Sequence, residues 1–266
     1  MLKHKIVSIL QYVVLTSFAL LFLVPLSALI LRAFSVPLKG FSIYFFTQVL
    51  AKPRNRLAFA TGLKISSLAA FITIVTSLMA ASALTRKKGG LQDSFLTVIL
   101  MLSGIPYCTL VIPLYFILFV LHLLDSVCIT VLFLAAANVP ATVRIFCIYL
   151  ESLPSEASEN ARLDGTGTTT VFLRIILPQL MPVLTGAFIT TFINSWGNFI
   201  IPFMLLSSSD KLPIALAFFQ SFSAGDPSLY GYLSAYALLY YIPVIILYLV
   251  LRLGVTRLFV VHRLKA

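Results

Sequence analysis

Six long runs without a charged residue, 6–31, 65–85, 94–124, 126–143, 175–209 and 227–251, restrict the solvents in which this chain can fold. A helix rises ~1.5 Å per residue, so about 20 apolar residues cross a hydrocarbon core ~30 Å thick. Each run supplies that length, the fourth only just. Backbone amides cannot stay unpaired in lipid, and no series of short alternating segments suggests a barrel, so the spans are expected to be helical. The reading is an all-α polytopic membrane protein, one transmembrane domain over 1–266. Its six spans are expected at about 6–31, 65–85, 94–121, 127–149, 181–206 and 230–252.

Composition agrees. Of 266 residues 60% are hydrophobic and 10% charged, and the mean hydropathy is +1.05. The net charge of +11 would suggest nucleic acid in a soluble protein. Here the cations cluster between apolar runs, which points to membrane orientation and away from nucleic acid. The N-terminus resembles a signal peptide, but its apolar run is long enough to span and is expected to remain as the first helix. Cys108, Cys128 and Cys147 lie far apart in apolar stretches and read as small buried hydrophobes, with no metal-ligand spacing. Residues 40–51, with Phe41, Tyr44, Phe45 and Phe46, are too short to cross and are expected to lie at the membrane surface.

With six spans both termini share one side. That side collects Lys3, Lys5, Arg86, Lys87, Lys88, Arg144, Arg162, Arg174, Arg252, Arg257, Arg263 and Lys265. The other has Arg32, Lys39, Lys52, Arg54, Arg56 and Lys211. The positive-inside rule makes the first set cytoplasmic, in the plasma or inner membrane, despite a basic first external loop.

The fourth and fifth spans are then joined by the only long internal loop, 151–180, which holds four of the chain's eight acidic residues: Glu151, Glu156, Glu159 and Asp164. It reads as helix, glycine turn, helix. Pro154 suits a first turn, Glu156 and Glu159 the positive end of the dipole, and Gly165 a left-handed terminus. Thr168 to Thr170 offer caps for the next helix, and Leu177-Pro178 and Met181-Pro182 mark a break or kink before the fifth span.

These residues resemble the permeases of binding-protein-dependent ABC importers. That family carries a cytoplasmic loop of pattern E-A-A, three residues, G, nine residues, I-x-L-P. Glu159-Asn160-Ala161, Gly165, Ile175 and Leu177-Pro178 keep that spacing, with Asn160 standing where alanine is usual. Leu163-Asp164-Gly165 looks like the version found in carbohydrate permeases, and Trp196-Gly197-Asn198-Phe199 resembles a stretch of the same group. The nearest shape is the shorter subunit of the maltose-type permease pair. The resemblance implies that the helix around Glu159 to Gly165 seats in one of a pair of ATPases. It also implies a second permease subunit, expected to be a paralogue, an extracytoplasmic solute-binding protein and a sugar-like solute. No phosphate-binding G-x-x-x-x-G-K-[ST] loop is present, so ATP is used by the partner; this chain is expected to bind no cofactor or metal and to catalyse nothing.

For the solute pathway, Thr190, Asn194 and Asn198 recur every four residues, flanked by Thr191 and Ser195. They form a polar stripe that either lines a pathway or bonds helices together. Trp196 offers a face on which a pyranose could stack. Gly104, Pro106 and Pro113 interrupt the third span and Pro140, beside Asn138, the fourth; broken helices often adjoin cavities. His122 and Asp125 read as a solvated turn. A secondary transporter would usually place ionisable residues within spans, and the six runs contain no acid or permanent cation. An intramembrane enzyme would show nucleophile or metal motifs, and a scaffold gives no reason for the spaced loop.

Overall fold

A computed structural model describes residues 2–36, 40–85, 90–153, 166–223 and 230–263. Five helical segments among them are long and apolar enough to cross a membrane: Gln11–Phe34, Pro53–Leu84, Val127–Ser152, Thr168–Trp196 and Tyr230–Leu251. The chain divides into two compact units. One is Met1–Arg56 with Phe218–Pro243, the other Leu57–Ala217 with Val244–Ala266.

In the first unit α1 (Leu2–Phe34) ends in a minimal antiparallel pair, β1 (Ser35–Val36) with β2 (Gly40–Phe41), a small exception to an otherwise helical chain. Gly40 takes φ +71, the left-handed region open to glycine, where the chain returns. Phe34 stacks on Phe41 at 4.8 Å and meets Phe46 at 4.9 Å, which anchors α2 (Tyr44–Ala51). That short helix is the expected non-spanning segment. The first turn of α3 (Pro53–Leu84) is held by buried Asn55, whose amide donates to Val49 O and Tyr232 Oη, each at 2.8 Å. Tyr232 belongs to α11 (Tyr230–Arg263), where Gly231 lets Phe45 approach: a Cβ there would lie 2.2 Å from the ring.

In the second unit α3 presents a stripe of small residues. Ser66, Ala69, Thr73, Ser77 and Ala81 are all buried, the composition that lets membrane helices pack closely where no water drives them together. Thr73 Oγ1 reaches Ala135 O at 3.1 Å on α6 (Val127–Ser152), and Ser77 Oγ reaches Val139 O at 3.5 Å. One apolar cluster joins Ile65, Ala69, Val111, Leu134, Ile201 and Leu216; another joins Ala81, Ile99, Val143, Phe146 and Ala187. α3 begins well before the expected span at 65, so Lys64 stands on the helix, exposed, with a stem long enough to carry its charge toward water.

Several expected boundaries change. The third span is two helices, α4 (Gly90–Ser103) and α5 (Tyr107–Val120), separated at Gly104-Ile105-Pro106; neither alone matches the membrane thickness. Pro106 has no N–H and disfavours helix in the residue before it, which explains the stop. Pro113 and Pro140, expected to interrupt, instead lie within continuous helices. At Leu177-Pro178 and Met181-Pro182, expected to mark a break or kink, the helix is not broken, and an irregular turn lies just before them. α7 (Thr168–Val171) passes through a π turn at Phe172–Ile176 into α8 (Leu177–Trp196), and the wide turn absorbs the donor that Pro178 lacks. Gly167, not a threonine, caps α7, since Thr168 to Thr170 are already helical. The fifth span stops at Trp196 and resumes as α9 (Ile200–Leu205), before α10 (Ile214–Ser223). Cys147 is buried as expected but Cys128 is exposed, on the first turn of α6.

Candidate functional site

Three amides, on and just beyond two neighbouring helices, form a polar cluster among the described residues. Asn138, in the middle of α6, donates from Nδ2 to Leu134 O at 2.8 Å, a bond within its own helix that fixes the side chain. Its Oδ1 accepts from Asn194 Nδ2 of α8 at 3.1 Å. Asn198, one turn beyond Asn194, accepts from Ile201 N in the first turn of α9 through Oδ1 at 3.0 Å. Together with Leu134, Ala137 and Ala141 they line a cavity of about 270 Å³.

The local sequence accounts for the space. Alanines at 137 and 141 leave one face of α6 low, and the stop after Trp196 turns the chain away beyond Asn198. The six lining residues carry no ionisable group. Each carboxamide has two N–H donors and an oxygen with two lone pairs, and the bonds just described use part of that capacity. Such a surface can exchange hydrogen bonds with hydroxyls without a charge to desolvate.

The predicted stripe therefore divides. Asn194 and Asn198 line the cavity. Thr190 is exposed one turn earlier, bonded to Gly186 O at 3.0 Å, and is not part of the lining. Thr191 is buried on another face, bonded to Ala187 O at 2.7 Å, and Ser195 Oγ is buried with no hydrogen-bond partner. Trp196 corrects the expectation of a stacking face. It is 3% exposed, stacked on Phe192 at 5.8 Å, and a Cβ on Gly62 would lie 3.1 Å from its ring. Its residue number is two from Asn194, which on a helix turns it away from that side. Asn138, beside Pro140, lies outside the period-four stripe. An amide in an uncharged run beside a helix-disturbing proline is the signal that locates it.

At the end of α5 the turn His122–Asp125 is not simply solvated. Both residues adopt positive φ, 53 and 59. Asp125 Oδ1 accepts from Ser207 N at 2.9 Å and Ser208 N at 3.0 Å, and Oδ2 from Lys211 Nζ at 2.6 Å. Asp125 N donates to Leu205 O at 2.8 Å. The Lys211 ammonium, then the Ser208 hydroxyl and amide, hold this carboxyl well below the usual carboxylate range.

Of the expected coupling loop, Glu156, Glu159, Asn160, Ala161, Leu163, Asp164 and Gly165 lie outside the described residues. Ile175 lies in the π turn, and Leu177 and Pro178 open α8. Tyr149 Oη, near the end of α6, donates to Gln179 O at 3.1 Å, and Val183 and Leu184 pack against the cluster containing Val143 and Phe146. These contacts join α6 and α8, the two helices that carry Asn138 and Asn194.

Residues 72–260 match the family described as binding-protein-dependent transport system inner membrane component. The chain is 30% identical over 193 residues to the arabinooligosaccharides transport system permease protein AraQ of Halalkalibacterium halodurans, covering 72% of this chain and 67% of that one. It is 26% identical over 214 residues to the melibiose/raffinose/stachyose import permease protein MelC of Bacillus subtilis, covering 79% and 76%. The fold is similar to that of a chain in a crystal structure of a bacterial ABC transporter that imports the acidic polysaccharide alginate. There the TM-score is 0.78 at 19% identity, over 93% of this chain and 96% of the other.

Proposed function

Given that the chain belongs to the binding-protein-dependent transport system inner membrane components, as the transmembrane permease subunit of an ABC importer, we propose that it passes a neutral sugar or short oligosaccharide into the cell. The observation that carries the solute class is the uncharged amide cleft of Asn138, Asn194 and Asn198. Three carboxamides with spare donors and acceptors match vicinal hydroxyls, whereas a charged solute would enter without a counter-charge among the lining residues. Relatives named for arabinooligosaccharides and for melibiose, raffinose and stachyose support the same class.

Energy comes from a separate pair of ATPases acting through the 151–180 loop. Their closure on ATP pushes the segment around Glu159 to Gly165, and α6 and α8 respond because Tyr149–Gln179 and the Phe146 cluster join them next to the loop. A shift between these helices changes the Asn138–Asn194 separation, which opens or closes the cleft. A second permease, expected to be a paralogue, supplies the other coupling loop and the facing wall of the pathway. An extracytoplasmic binding protein delivers the solute, and both termini of this chain lie in the cytoplasm. An ion-coupled secondary carrier is the less favoured reading, since the cleft offers no group that binds or releases a proton.

The test is purification of the chain with its partners from native membranes, followed by ATPase assays with binding protein and a panel of neutral oligosaccharides, amino acids and polyamines. Stimulation by a neutral oligosaccharide, weakened by Asn194→Leu, supports the reading; stimulation confined to amino acids or polyamines overturns the solute class. Gly165→Glu should release the ATPase, and a wild-type chain that purifies without one would remove the coupling mechanism.

A further inference from the structure

The basic first loop that runs against the positive-inside rule is not explained by transport. No acidic residue precedes Asp93, and the first unit's only acid, Asp226, lies outside the described residues. Against this stand Arg32, Lys52, Arg54 and Arg56, all exposed, and among the described residues none forms an ion pair. Neutral groups hold three of them instead. The Arg32 guanidinium lies 5.6 Å from the centre of the Tyr230 ring, Lys52 Nζ 4.4 Å from that of Tyr232, and Arg54 Nη2 donates to Gln220 Oε1. Aromatic faces orient a cation without neutralising it, so the positive charge remains available to an outside anion.

The same cluster fixes its own depth. Arg32 is in the last turn of the apolar segment Gln11–Phe34, and Tyr230 and Tyr232 begin the apolar segment Tyr230–Leu251. Lys52 is tied to that level by its contact with Tyr232, which also receives the Asn55 bond. All of these cations therefore sit near the ends of spanning helices, at the height of headgroups. Beside them Phe41 is 79% exposed and Ile43 63% exposed, on the segment that leads into the short helix α2. An acidic soluble protein would meet the charge but leave a reason wanting for these apolar side chains. A phospholipid meets both, phosphate to cations and acyl chain to Phe41 and Ile43.

We propose that the α1–α2–α11 corner, with Arg32 and Lys52 oriented by Tyr230 and Tyr232, binds the headgroup of an anionic phospholipid. This goes beyond the transport reading and does not depend on it.

The full-length chain is purified in detergent with equimolar phosphatidylglycerol and phosphatidylcholine, and retained lipid is counted by native mass spectrometry. The wild type is expected to retain phosphatidylglycerol preferentially. Arg32→Gln with Lys52→Gln should reduce that preference roughly thirtyfold, given about 1 kcal/mol per cation near an anionic surface, while Arg32→Lys with Lys52→Arg keeps it. Equal retention of both lipids by the wild type overturns the proposal and needs no variant. So does a preference that the glutamine pair leaves intact, or one abolished by inorganic phosphate, which would make the site one for free phosphate. Loss of binding-protein docking in the glutamine pair with lipid preference unchanged would assign the corner to a protein partner instead. Sugar-stimulated ATPase activity is recorded separately, so failure here leaves the transport reading standing.

Discussion

Lys211 Nζ stands 2.6 Å from Asp125 Oδ2 and 2.8 Å from Asp125's own carbonyl oxygen, so one side chain fastens both parts of the residue that precedes the Ser126 cap of α6. The loop after α9 and the turn before α6 are thereby one structure. Asparagine keeps an oxygen for the Ser207 and Ser208 amides but sets an NH2 donor where Oδ2 receives Lys211 Nζ and the Ser208 hydroxyl. Asp125→Asn should cost about 1–2 kcal/mol at neutral pH, read as a lowered thermal midpoint in detergent.

The same site makes a prediction about pH. The Asp125 carboxyl is depressed in the folded protein from an ordinary value near 3.8, chiefly by Lys211. Its contribution is therefore complete above the unfolded value and is lost as pH falls through that value toward the lower folded one. From about pH 6 to about pH 3 the wild-type midpoint should fall more than that of Asp125→Asn, whose side chain does not titrate. Parallel slopes in the two proteins would mean that the clamp carries no net stability.

Gly231 tests the packing of the first unit. A Cβ there would lie 2.2 Å from Phe45 Cε2 and 2.5 Å from Cζ, closer than any real contact, and the ring must move. Gly231→Ala should destabilise by about 1–3 kcal/mol, and adding Phe45→Leu should recover part of the loss. A fully additive pair of effects would show that the two residues do not press on one another.

Much of this architecture was legible because uncharged runs report membrane helices directly: Leu2–Phe34 and Val127–Ser152 contain the expected spans 6–31 and 127–149. Prolines were harder. Pro106 stops a helix while Pro113 and Pro140 do not, since a kinked helix survives where neighbours or side chains satisfy the freed carbonyl, and one sequence does not state its neighbours. The clamp is not legible in the sequence for a related reason. Asp125 and Lys211 are 86 residues apart, and only the fold brings the two loops together.

The site was half legible. Period-four recurrence found Asn194 and Asn198, but it could not say which side of α8 faces a cavity, and Trp196 was drawn in by its chemistry. Packed against Phe192 and close to Gly62, it should behave as a core residue. Trp196→Ala should cost about 3–5 kcal/mol, and Trp196→Phe should restore most of the stability with the order of preference among sugars unchanged. A reordered sugar preference in the phenylalanine variant would return this ring to the pathway.

The sharpest test of the cleft uses the one direct bond across it. Asn138 Oδ1 accepts from Asn194 Nδ2 at 3.1 Å, which joins α6 to α8 where the cavity lies. If the bond only glues helices, Asn138→Leu and Asn194→Leu should lower stability with strong coupling, because either change removes the same interaction. If the amides also meet solute, each substitution should reduce sugar-stimulated transport roughly tenfold, about 1.4 kcal/mol, in protein whose thermal midpoint has moved little. Asn138→Ala separates the cases further. It enlarges the cavity, so a packing role predicts a less stable protein with normal turnover, and a solute role predicts lower turnover that no compensating stability mutation elsewhere restores. Uptake and unfolding measured on the same four proteins, wild type, two singles and the double, give both coupling energies. Transport coupling without stability coupling is the result expected here.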